Sequence, residues 1–67
     1  MKRNSEVIRA IEEQIMDLQP NEIAEVERLL NKFKASPEDC AEKIAGYLTM
    51  ELPIGILPDL IYDIIVD

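Results

Sequence analysis

Apolar residues recur along the first half of the chain at helical intervals. Between Ser5 and Leu18, Ile8, Ile11, Ile15 and Leu18 follow one another at 3-4-3 spacing with Val7 beside them, and Glu12, Glu13 and Asp17 fall on the opposite side. That period places one apolar stripe on a helix. Asn4 or Ser5 can cap the free backbone N–H groups at its start. The segment from Gln19 to Ser36 repeats the design, with Ile23, Val26, Leu30 and Phe33 in one stripe and Leu29 widening it. Pro20 suits a first helical position, where its missing N–H is not needed. Glu22 favours the positive end of the helix dipole, and Lys32 and Lys34 favour the negative end. Leu18 and Ile23 are placed to pack on each other across the junction. A connection of barely two residues makes the first two helices an antiparallel hairpin.

Ser36, Pro37, Glu38 and Asp39 spell a third helix start: a cap, a first-position proline and two acids in the first turn. Its core stripe is Ala41, Ile44, Leu48 and Leu52, edged by Cys40, Ala45 and Tyr47. Gly46 weakens a helix interior and marks a place where another backbone comes close. Pro53 stops the helix. Gly55 then pivots a short extended link, and Pro58 opens a fourth segment, "PDLIYDIIVD". Its β-branched run leaves a strand open, but a lone strand among helices has no partner except across a dimer, so a helix is expected.

The pattern therefore predicts an all-α chain. It is a small three- to four-helix bundle: an antiparallel hairpin of helices one and two, a third helix, and a short C-terminal helix. Residues 1–67 form a single helical domain. On the fourth helix Asp59, Asp63 and Asp67 stack at intervals of four as a narrow acidic ridge. The remaining surface is apolar: Leu57, Leu60, Ile61, Tyr62, Ile64 and Ile65, with Val66. A helix apolar over most of its girth needs cover on more than one side. Three short amphipathic helices cover one side. The alternatives for the rest are a compact fourth wall with apolar residues to spare, a homodimer seam, or a groove-filling contact with another protein.

Size sharpens the question. A 67-residue chain with one cysteine cannot staple itself with a disulfide, and one thiol without histidine is no zinc site. Oligomerisation or docking is the remaining common support for so small a domain, so a homodimer is expected.

Charge adds direction. The net charge is −7, and it is uneven: residues 1–35 carry six basic and seven acidic side chains, residues 36–67 one basic (Lys43) and seven acidic. The second half repels phosphate backbones and anionic headgroups, so direct nucleic-acid or membrane binding is disfavoured and a basic protein surface is the natural complement. Solubility is the plainer role for the same charge. Lys2 and Arg3 have no apolar run behind them, and the C-terminal tail is too short to span a bilayer and is broken by Asp59 and Asp63, so a cytoplasmic location is expected.

Catalytic chemistry is not signalled. Histidine, the usual general base, is absent. Ser5 and Ser36 read as caps, and Cys40, flanked by Glu38, Asp39 and Glu42, reads as a small core residue rather than a nucleophile. The Ca²⁺-loop pattern is missing. A helix-turn-helix reading of helices two and three fails because three acids stand where phosphate contacts would fall. The Asp-Ser-Leu motif of acyl carrier proteins is also absent. No enzyme activity, cofactor or metal is expected. What remains is a small acidic protein-binding regulator, an inhibitor or adaptor, that docks on a larger basic surface. It would use Glu38, Asp39, Glu42, Asp59, Asp63 and Asp67, with nucleic-acid mimicry as one route, and Phe33, Tyr47 or Tyr62 as aromatic anchors. The alternative is a structural homodimerisation or scaffold subunit with no inhibitory role.

Overall fold

Residues 2–51 and 55–66 are described by the computed structural model, and their regular structure is entirely helical: α1 (Asn4–Gln14), α2 (Pro20–Lys32), α3 (Pro37–Glu51) and α4 (Pro58–Val66). The choice between helix and strand for the tail resolves as helix. Leu52, Pro53 and Asp67, to which the sequence reading gave a core position, a helix stop and the last acid of the ridge, lie outside the described residues.

α1 is shorter than its apolar stripe. Ile15 and Met16 both donate to the Ile11 carbonyl, at 2.8 and 3.2 Å, and the helix ends there. Two local features oppose its continuation toward α2. Glu12 and Glu13 oppose the dipole at this end, and Gln19, preceding Pro20, is held extended at φ −74°, ψ 160°. Leu18 still reaches the core, but from the connection, and its N–H donates to Glu12 Oε2 at 3.4 Å. The hairpin connection is thus residues 15–19 rather than two residues.

The start of α1 also differs from expectation. Arg3 is the N-cap and no side chain caps the turn. Asn4 instead donates from Nδ2 to Oδ1 of Asn31 at 2.8 Å, joining the beginning of α1 to the end of α2 as an antiparallel hairpin requires. At the start of α2, Glu22 reaches back to accept the Gln19 N–H at 2.7 Å, and Pro20 takes the first position. At the start of α3, Ser36 Oγ accepts the Asp39 N–H at 3.5 Å.

Packing closes a ring. α2 touches α1 and α3, and α4 lies mainly on α3 and also on α1. Val7, Ile11, Val26, Leu30, Ile44, Leu48, Ile61 and Ile65 are fully buried, so every helix contributes to one core. The radius of gyration is 10.3 Å, against roughly 10.9 Å from size scaling. The exposed surface is 4334 Å², against about 4,300 Å² expected of a monomer of this mass. The four helices of the chain enclose this core compactly.

Candidate functional site: an acidic groove between α3 and α4

The link after α3 doubles back along it. The Ile56 N–H donates to Thr49 Oγ1 at 3.1 Å, which fixes the link beside the last turns of α3. Two residues later Pro58 and Asp59 stand with Glu38, Ala41 and Glu42, at the other end of the same helix. The first turns of α3 and α4 therefore meet, and between them lies an open groove of about 290 Å³ lined by Glu38, Ala41, Glu42, Pro58, Asp59 and Tyr62. Glu38 and Asp59 both occupy first turns, where the helix dipole favours a carboxylate.

Four basic side chains are engaged away from the groove lining. Arg9 pairs with Glu13 at 3.2 Å and Arg28 with Glu25 at 2.6 Å. The side-chain hydrogen bond from Arg28, aided by its charge, holds the Glu25 carboxyl below the ordinary value. Lys32 and Lys43 place their ammonium groups 5.5 and 5.9 Å from the centre of the Phe33 ring. Among the described residues, Glu38, Glu42 and Asp59 form no ion pair. The groove thus presents three exposed carboxylates around a small apolar floor (Ala41) and an aromatic wall (Tyr62). That arrangement suits a guanidinium or ammonium group on an apolar stem.

The acids expected to act together divide into three places. Glu38, Glu42 and Asp59 share the groove. Asp39 is exposed but does not line it, and Asp63 lines a separate hollow of about 80 Å³ with Lys2, Gln14 and Ile64. The apolar residues of the tail divide as well. Ile61, Ile64 and Ile65 are buried in the chain's own core, so the tail's outward surface narrows to Leu57, Leu60 and Val66, with Tyr62 at the groove. Of the three aromatics, only Tyr62 lines the groove; Phe33 and Tyr47 are half-buried against the core.

Met50, 85% exposed, was not singled out by its sequence context. Its signal is angular: it falls on the face of α3 opposite Ala41, Ile44 and Leu48, where an apolar residue has no internal use. Cys40 is fully buried, its Sγ 3.8 Å from the Leu29 carbonyl oxygen, and burial pushes its thiol pKa up. Among the described residues no group of three or more His, Cys, Asp or Glu is arranged to hold a metal ion, and no helix is long and apolar enough to cross a membrane. Comparison with protein-family models, curated proteins and solved structures finds no match to this chain.

Proposed function

We propose that this chain is a small acidic regulator, an inhibitor or adaptor, that docks through the α3–α4 groove on a basic surface of a larger protein. One observation carries it: Asp59 joins Glu38 and Glu42, from which it is distant in sequence, in a single groove beside Tyr62, and among the described residues none of the three forms an ion pair. Carboxylates held together at a preformed site gain most from an arginine or lysine brought in by a partner, and they steer its approach. Where the partner handles nucleic acid, the same acids occupy the place of phosphates.

The test compares the tagged chain with its Glu38→Lys, Glu42→Lys, Asp59→Lys variant as baits, after thermal melts establish that both fold. A partner held by the wild type, lost on charge reversal and released by salt is the expected result. Retention that charge reversal leaves unchanged rejects the proposal. A homodimeric scaffold is the second reading, supported by exposed Leu57 and Leu60. Light scattering over a wide concentration range separates the two, because the scaffold requires twice the chain mass.

A further inference from the structure

We propose that a strip beside the groove, formed by Gly46, Met50 and Leu57, seats the apolar face of a basic amphipathic helix of the partner. The seat presupposes the acidic docking proposed above. Leu57 is 71% exposed and Met50 85%, the two largest exposures among the bulky apolar side chains described. Their placement follows from two fixed points. Ile56 is tied to Thr49, and Pro58 lies with Ala41 and Glu42, so Leu57 passes α3 at the level of the turn that carries Gly46. Met50 follows one turn along the helix.

Gly46 is the second observation. It lies in the middle of α3, is exposed, and does not have a positive φ. Among the described residues a Cβ there would meet nothing within 4 Å. Neither backbone conformation nor packing among the described residues calls for glycine at this position, although glycine weakens a helix. A backbone arriving from outside gives it a use, since two helix axes approach most closely where side chains are smallest. Methionine beside it adapts to an incoming apolar face.

Charge selects the occupant. A second copy would set residues 36–67, which carry one basic and seven acidic side chains, against themselves. A basic helix instead places apolar residues on Leu57 and Met50 while a lysine or arginine from the same face enters the groove, the i, i+3, i+4 logic of helix-in-groove recognition.

The full chain, ¹⁵N-labelled, is titrated with three probes: an amphipathic Lys/Leu helical peptide, a scrambled peptide of equal composition, and oligo-lysine. The amphipathic peptide binds about tenfold tighter than the other two, and it shifts the amides of Gly46, Met50 and Leu57 along with those of the groove. Gly46→Gln, which the open space accommodates in the folded chain, removes that advantage and leaves oligo-lysine binding unchanged. Equal binding of amphipathic and scrambled peptides, or an unaffected Gly46→Gln variant, overturns the seat while leaving the acidic docking intact. If no basic probe binds, both fall. If the chain alone doubles its mass and Leu57→Asp reverses this, the occupant is a second copy and the proposal is overturned.

Discussion

The hydroxyl of Thr49 accepts the backbone N–H of Ile56 at 3.1 Å, and this bond decides where the fourth helix begins. It turns the link back along α3 and so delivers Asp59 to Glu38 and Glu42. Thr49→Val keeps the side-chain shape and removes the acceptor. The half-buried N–H is then left without its partner, at a cost of about 1 kcal/mol. Urea unfolding should show the midpoint fall with the slope unchanged.

Gly46→Ala should stabilise the free chain. The position is helical, open and without a left-handed backbone, so alanine gains about 0.5–1 kcal/mol. In a domain of this size that raises Tm by several degrees, about 4–8 °C per kcal/mol. An unchanged or lowered Tm would show that α3 is not an ordinary helix at this turn.

Ile61 and Leu57 should separate sharply, although both belong to the apolar tail. Ile61 is fully buried and Leu57 largely exposed. Ile61→Ala removes core contacts and leaves a cavity, costing about 2–5 kcal/mol, while Leu57→Ala stays within about 0.5 kcal/mol of wild type. A small domain holds only about 0.05–0.15 kcal/mol per residue, so the first variant is close to unfolding. Circular dichroism melts of the two variants check this. It also follows that substitutions of Ile61 or Ile64 report on folding before they report on assembly.

Cys40 gives the chain an alkaline limit. Burial raises its pKa in the folded state, so between the ordinary thiol value and the raised one the folded chain keeps a proton that the unfolded chain has lost. The stability from this group is complete below the ordinary thiol pKa and is lost as pH rises through the folded value. Tm should therefore decline on the alkaline side, and Cys40→Ala should flatten that decline while lowering Tm overall. Thiol-labelling rates give a second check: modification should follow the opening of the fold rather than thiolate formation in the native state.

The core stripes were legible because a 3.6-residue period is a local property. Ile8 and Ile11, Val26 and Leu30, and Ala41, Ile44 and Leu48 are all buried, as their spacing implies. Helix ends were less so. α1 ends at Gln14 even though Leu18 continues the apolar rhythm, and Gln19, before Pro20, is held extended, so the stripe outruns the helix. The tail was the hardest part. Ile61, Ile64 and Ile65 looked like more surface than one bundle covers, yet α3 takes one flank of α4 and α1 another. That cover depends on the link doubling back, a long-range outcome that no pattern within residues 58–66 encodes. The groove divides in the same way: Glu38 and Glu42 share a face by spacing, while Asp59 joins them only through the path of the link.

The backbone N–H of Lys2 donates to the carbonyl of Ile65 at 3.2 Å. Lys2 thus waits for Ile65, sixty-three residues later. During synthesis α1, α2 and α3 leave the ribosome in order, and each can form its own turns. The ring cannot close until α4 has followed, because both its contacts, on α3 and on α1, depend on its arrival. Until then the nascent chain exposes the apolar flanks that Ile61 and Ile65 later cover, and burial of the core is delayed until α4 has emerged.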